Sequence, residues 1–358
     1  MDLVWLWVLI PAYNVEKYIA ACIDSILVQT YSNWEMVIVD DGSTDSTGRI
    51  CDSYAETNAK IHIIHQSNAG LLSARRTAFN YVLEHNTREN AFVMNVDGDD
   101  ALKADAFNII CNTAISTQPD MIIFGMERVW NGKTIASGRK AIPFSGQICD
   151  KRDLYRRVFM DNQYNSLCRK AASIKLLTAK DYTAFYGVRH GEDLLQSIAL
   201  YQACNSVVFI DDILYEYTVN PNSITQNITY ENYSVDSTVR RLAYEFLVHE
   251  NVWNQSDFDE YLKYNCKLLS EKVRIIANLD AADENKIKLF SELRSDSFYS
   301  MVLNSTKRQG FCLNLLKSKK YLLLIQITKY INRLRKIKRK LVQARDMGKK
   351  TCEHVKLF

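Results

Sequence analysis

The chain is poor in the residues that interrupt or staple a fold. Four prolines and twelve glycines in 358 residues exclude collagen-like and low-complexity classes. The nine cysteines contain no Cys-x-x-Cys pair and no regular spacing. That pattern predicts reduced thiols rather than a disulfide framework or a zinc site. An apolar run of the roughly 20 residues that span a bilayer is missing. Residues 3–10 are apolar but short and lack a basic lead-in, so they are not expected to be a signal peptide. A cytoplasmic protein is expected. The Gly-x-Gly-x-x-Gly fingerprint is also missing after the first apolar run, which argues against a dinucleotide-binding dehydrogenase.

Acidic groups stand where a strand is expected to end. Residues 92–95 form an apolar run that leads into Val96-Asp97-Gly98-Asp99-Asp100, and residues 101–115 then carry helical apolar spacing. Open α/β sheets bind ligands at such strand ends. Asp97 and Asp99 are separated by a residue without a side chain, so both carboxylates can approach one ligand from one turn. Like charges this close disfavour ionisation unless a cation or hydrogen-bond donors offset them. A hard divalent ion holding a diphosphate fits that need, and a solvated loop with a helix cap is the alternative.

The same layout repeats through the first 125 residues. Apolar strands are expected at residues 5–10, 35–39 and 61–64, with helices at 15–29 and 71–83. Pro11 is expected to stop the first strand, and Asn14 to cap the first helix. Repeated βα units predict a doubly wound, mostly parallel sheet. Further strands are expected at residues 121–124, 207–210 and 214–217, with a hairpin turn at Trp130-Asn131-Gly132-Lys133. Beyond residue 228 only helical spacing remains. Two regions follow from this, a sheet domain over 1–227, divided after residue 125, and a helical region over 228–358.

Four motifs stand in order at these strand ends: Pro11-Ala12-Tyr13-Asn14, Asp40-Asp41-Gly42-Ser43, Asn68-Ala69-Gly70-Leu71 with Arg75, and Asp97-Gly98-Asp99-Asp100. The series resembles the inverting family 2 glycosyltransferases with the GT-A fold, in particular bacterial enzymes of capsule, exopolysaccharide and O-antigen assembly. Glu192-Asp193 resembles the family's Glu-Asp motif, and Asn222-Ser223-Ile224-Thr225 a recurrent later segment.

The resemblance implies nucleotide-sugar binding by residues 1–125, an acceptor side over 126–227, and a role for each position. Pro11, Tyr13, Asp40, Asp41, Arg75, Asp97 and Gly98 would bind the nucleotide-sugar, a UDP-sugar. Tyr13 would lie against the uracil, Asp40 and Asp41 would read the nucleoside, and Arg75 would approach the phosphates. Asp99, with Asp97, would hold Mn2+ or Mg2+. Asp193, with Glu192 as substitute, would be the base that takes the acceptor proton. The acceptor would be a hydroxyl of a glycan, often one carried on a polyprenyl diphosphate. Two departures stand out: Tyr164-Asn165-Ser166 replaces a common Trp-Asn-Lys, and Tyr215-Glu216-Tyr217-Thr218 lacks the arginine of Tyr-x-Tyr-Arg. These leave open a catalytically weak nucleotide-sugar-binding subunit of a polysaccharide assembly complex.

Net charge is only +4, but it is unevenly spread, and residues 311–342 interleave apolar with basic side chains almost without acids. A solvated helix face, an anionic membrane surface and nucleic acid are the three readings. No nucleic-acid recognition motif accompanies the segment, so nucleic acid is not expected. The expected place is the cytoplasm, peripheral on the inner face of the cell membrane.

Overall fold

The structure is a computed structural model that describes residues 3–137, 148–177, 191–220, 230–305, 310–335 and 337. It has two compact units, Met1–Trp253 and Asn254–Phe358.

In chain order the first unit comprises β1 (Trp5–Ala12), α1 (Ile19–Leu27), β2 (Trp34–Asp40), α2 (Thr47–Thr57), β3 (Ile61–His65), α3 (Leu71–His85), β4 (Ala91–Asn95), β5 (Ala101–Leu102) and α4 (Ala106–Thr117). It continues with β6 (Met121–Trp130), β7 (Lys133–Ser137), β8 (Ile148–Cys149), α5 (Lys151–Phe159), β9 (Lys170–Ser173), α6 (Glu192–Ala203), β10 (Val207–Thr218) and α7 (Tyr230–Glu250). One sheet runs in the order β3-β2-β1-β4-β9-β6-β10-β5. Its first four strands are mutually parallel, as are β6 and β10. Alternate residues of β1 go to opposite faces. Leu6, Val8 and Ile10 pack with Ile19, Ile23 and Ile26 of α1 and Phe107 of α4, whereas Trp7 and Leu9 pack with Ala74, Ala78 and Val82 of α3. Helices on both faces make the sheet doubly wound and bury its central strands throughout.

Several local expectations are revised. Pro11 does not stop β1, which pairs Pro11 with Val39 and Ala12 with Asp40. The Trp5 N–H bonds toward β4, so the alternating register turns the Pro11 nitrogen to that same side. There β4 has already ended opposite Leu9, and the missing donor costs no ladder bond. Asn14 does not cap α1. It sits at φ 51°, its Oδ1 accepts the Thr44 N–H at 2.8 Å, and α1 begins only at Ile19. Residues 101 and 102 open the segment after the acidic turn as a short strand antiparallel to β10 before α4 starts. The two short strands expected at 207–217 are one strand, irregular where its pairing with β6 shifts between Phe209 and Ile213 and again by Tyr215. β9, unforeseen in the sequence, enters antiparallel between β4 and β6.

α7 belongs to the first unit, although its spacing resembles the helical region that follows. The Tyr155 hydroxyl donates to Glu250 at 2.9 Å, and the Tyr155 and Phe246 rings lie 5.3 Å apart. The second unit is helical: α8 (Gln255–Asn278), α9 (Asp283–Ser295), α10 (Ser297–Ser305), α11 (Phe311–Lys317) and a helix at residues 321–335. α8 opens with a capping box, in which Asn254 and Asp257 exchange side-chain-to-backbone bonds at 3.1 and 3.0 Å. Leu269, Val273, Phe290, Tyr299, Val302 and Leu316 are buried in this unit.

Candidate active site

The acidic turn lies at the C-terminal end of β4, beside the end of β1. Val96 donates to the Leu9 carbonyl at 2.9 Å, and a Cβ on Gly98 would meet the Pro11 carbonyl oxygen at 3.2 Å. A side chain at 98 would therefore press on the β1 end and on Val15. Pro11 and Gly98 shape one rim, and Tyr13 stands on it 48% exposed, placing an aromatic face against solvent.

Arg75 gathers the carboxylates. It projects from α3 and is only 2% exposed, yet its Nη2 meets Asp97 Oδ1 at 2.9 Å and its Nη1 meets Asp193 Oδ1 at 2.5 Å. Nη1 also donates to Gln196 Oε1 at 3.3 Å. Burial opposes the cation, but the charges of Asp193 and Asp97 outweigh it and hold the guanidinium protonated. The first aspartate of the acidic turn and the aspartate opening α6 are thus bridged by one buried cation. Arg75 Nε has no partner among the described residues. Behind it lies a cavity of about 60 Å³ lined by Arg75, Asn95, Lys170 and Gln196 with apolar neighbours. Asn95 Oδ1 is likewise unpartnered, so this cavity is polar enough to hold water.

The rest of the turn is tied to β10. The Tyr215 hydroxyl accepts the Asp97 N–H at 3.1 Å and donates to Asp100 Oδ2 at 2.6 Å. Asp100 Oδ1 accepts the Thr218 N–H at 2.7 Å. Asp100 is buried, and desolvation together with Asp99 and Asp97 raises its pKa well above the carboxylate range. Asp99 accepts a bond from Asn220 at 3.2 Å; burial first, and then the charge of Asp97, raises its pKa. Among the described residues no group of three or more His, Cys, Asp or Glu is placed to hold a metal ion by itself.

Asp40 and Asp41 form a neighbouring cluster at the end of β2. Asp40 accepts the Ser43 N–H at 3.0 Å and meets His65 Nδ1 at 3.0 Å, while the other nitrogen of His65 reaches Asp52 at 2.9 Å. Asp41 is 3% exposed. It accepts from Gln66 and from the N–H groups of Ala69 and Gly70 at 2.7, 3.0 and 2.8 Å. In this state both carboxylates brace the loops that frame the rim. Gly42 permits this at φ 72°, where a Cβ would lie 2.8 Å from the Asn68 nitrogen.

Glu192 and Asp193 occupy the first turn of α6, where the helix dipole favours anions. Glu192 Oε2 is sealed from solvent without a partner among the described residues. Burial, and then the charge of Asp193, raises the Glu192 pKa to about 7 against the pull of Arg75. The segment Asn222–Thr225 lies outside the described residues.

Lys170 was not foreseen. It is 2% exposed, and its ammonium donates to the carbonyls of Tyr164 and Ser166 at 2.7 and 2.6 Å and to that of Asn165 at 3.4 Å. From α6, Ser197 and Tyr201 bind the same segment at the Asn165 and Tyr164 carbonyls. The available sign was a pair of basic residues, Arg169-Lys170, set in an otherwise apolar run.

Comparison with known proteins bears on this geometry. The profile of Glycosyl transferase family 2 matches residues 7–177. Glycosyltransferase GlyA of Streptococcus pneumoniae is 30% identical over 226 residues, 61% of this chain and 31% of that protein. Chondroitin synthase of Escherichia coli is 38% identical over 100 residues, 28% of this chain and 14% of that protein. The chain thus matches under a third of either relative's length. The crystal structure of S. aureus TarS 1–349 in complex with UDP-GlcNAc superposes with a TM-score of 0.67 at 17% identity, covering 92% of each chain. That likeness shows a shared fold, the mixed α/β GT-A fold with C-terminal helices.

Proposed function

Because residues 7–177 are a glycosyl transferase family 2 domain, we propose that the chain transfers a sugar, with inversion, from a nucleotide-diphosphate sugar to a hydroxyl of a glycan or lipid-linked glycan, in surface polysaccharide synthesis. The observation that carries this reading is the buried Arg75 bridge between Asp97 and Asp193. It joins the carboxylate suited to the donor side to the carboxylate suited to the acceptor side. The UDP-GlcNAc complex of TarS supports a UDP-sugar as donor.

In the proposed reaction the acceptor oxygen attacks the anomeric carbon while the bond from that carbon to the diphosphate oxygen breaks. Asp193 takes the hydroxyl proton, and the nucleoside diphosphate leaves with the bonding pair. Arg75 fixes the orientation of Asp193, whose side chain is 27% exposed and so can face an acceptor. Base assistance of this kind is worth about two to four orders of magnitude in rate. Tyr13 offers a stacking face to the base.

The donor set fits a divalent cation. Asp97 and Asp99 supply hard oxygen ligands; burial, and then repulsion from Asp97, raises the Asp99 pKa, and a cation would offset both. With no self-sufficient cluster among the described residues, the phosphates would complete the coordination. Mn2+ or Mg2+ bound there would neutralise charge on the leaving diphosphate.

The test is UDP release from a panel of UDP-sugars with Mn2+ present, for wild type and Asp193→Asn. The reading expects turnover in wild type, abolished by chelation, and a variant that binds UDP without turnover. A wild type that binds UDP and releases none from any donor would instead identify a binding subunit.

A further inference from the structure

The second unit carries a surface that the transfer reaction does not use. On the helix at residues 321–335 and at Ile337, Leu323 is 41% exposed, Tyr330 62%, Leu334 47% and Ile337 54%, with Ile327 partly exposed between them. These five follow one another in steps of four and three residues, the spacing of a single helical face. The opposite face, with Leu324, Ile325 and Thr328, is buried in the unit. The helix is therefore apolar on two sides, and only one of them is covered by the described residues.

Charge identifies the partner. Lys317, Lys319 and Lys320 precede the helix, and Lys329, Arg333 and Arg335 lie along it, while residues 317–345 contain no Asp or Glu. Lys329 also meets Asp283 at 3.3 Å. A stripe in steps of four and three is also a coiled-coil seam. Pairing with a second copy, however, would bring these cations together with no acid in the segment to oppose them, and like charges at such positions destabilise. An anionic phospholipid surface answers both features at once: its acyl boundary takes the apolar stripe and its phosphates meet the Lys and Arg heads.

We propose that this face docks the chain on an anionic phospholipid surface. Leu323, Ile327, Tyr330, Leu334 and Ile337 enter the interface, while Arg333, Arg335 and the lysines before the helix contact headgroups. No described helix is long and apolar enough to cross a membrane, so the contact is lateral. The proposal stands independently of whether the first unit transfers a sugar.

The full chain is tested by co-sedimentation with vesicles of equal phosphatidylglycerol and phosphatidylcholine, and with phosphatidylcholine alone. Binding to the anionic vesicles only, weakened at high salt, is expected, because screening shortens the reach of each cation. Arg333→Gln with Arg335→Gln should lower the partition by about fivefold per charge removed. Tyr330→Ser, Leu334→Ser and Ile337→Ser together should abolish binding with unchanged far-ultraviolet circular dichroism, since all three side chains are exposed. A chain that stays in the supernatant with both vesicle types overturns the proposal. So does equal binding to both, or a dimer in the ultracentrifuge that the triple variant dissociates.

Discussion

Arg75 and Asp193 are 118 positions apart in sequence and meet at 2.5 Å, with the guanidinium 2% exposed and the carboxylate side chain 27%. A cation buried this deeply survives only where anions surround it, and here Asp97 supplies the second. The planar fork of the guanidinium matters, because two separate nitrogens serve the two acids. α3 and α6 are thereby held at one distance across the mouth of the sheet.

Removing the fork should cost both stability and turnover. Arg75→Met leaves Asp97 and Asp193 facing each other unpaired, and breaking a buried pair from one side costs about 3–5 kcal/mol. Arg75→Lys keeps the charge but not the two-pronged contact, so it should restore part of the stability and little of the rate. Urea midpoints and UDP release measure the two effects separately. An Arg75→Met chain as stable as wild type would show that the bridge contributes nothing to folding.

A second relay is expected to govern donor affinity. The Tyr215 hydroxyl is the acceptor for the Asp97 N–H and the donor to Asp100. Tyr215→Phe fills the same space but strands both groups, at about 1–3 kcal/mol. UDP affinity measured by calorimetry with Mn2+ should fall severalfold, and the acceptor KM should stay within about twofold. A change in acceptor KM alone would place Tyr215 on the other side of the site.

The strand ends could be read from the sequence because continuous apolar runs followed by acids report local periodicity, and β1 to β4 and their helices depend on little else. What escaped depended on distant partners. Nothing near Arg75 indicates that Asp193 will meet it, and nothing near Asn14 reveals that Thr44 will take its side chain and turn its backbone to positive φ. β9 escaped because Lys170-Ala171-Ala172-Ser173 has no β-branched residue and becomes a strand by filling the gap between β4 and β6. Nothing near Asp100 indicates that the distant Thr218 N–H will donate to it.

His65 should give the first strand ends a pH dependence. Its two nitrogens face Asp52 and Asp40, and the bond to Asp52, followed by that to Asp40, raises its pKa above the usual value. A histidine with a raised folded pKa adds stability that is fully present below its unfolded value and lost as pH rises through the folded one. His65→Gln should therefore be more destabilising at about pH 5, below the unfolded histidine value, than at about pH 9. Thermal midpoints at the two pH values check this; a uniform loss would mean that packing, not charge, is what His65 contributes.

Glu192 carries a dependence of the same sign, set by burial first rather than by hydrogen-bonded partners. An unfolded glutamate titrates near 4.3 or so, whereas burial, and then the charge of Asp193, raises Glu192 to about 7 in the folded chain. Between those values the folded chain keeps a proton that the unfolded chain has lost. The resulting stability is complete below the unfolded value and disappears as pH rises through about 7. Glu192→Gln is permanently neutral and nearly isosteric. It should match wild type near pH 4 or so and exceed it by about 1–3 kcal/mol above roughly pH 8. Denaturant titration at both pH values measures the difference, and equal stability at high pH would mean that Glu192 ionises without penalty. The same variant separates the two acids in catalysis. With Asp193 as the base, Glu192→Gln keeps most of kcat while Asp193→Asn loses about two to four orders of magnitude. The reverse pattern would assign proton removal to Glu192, whose pKa is then already matched to neutral pH.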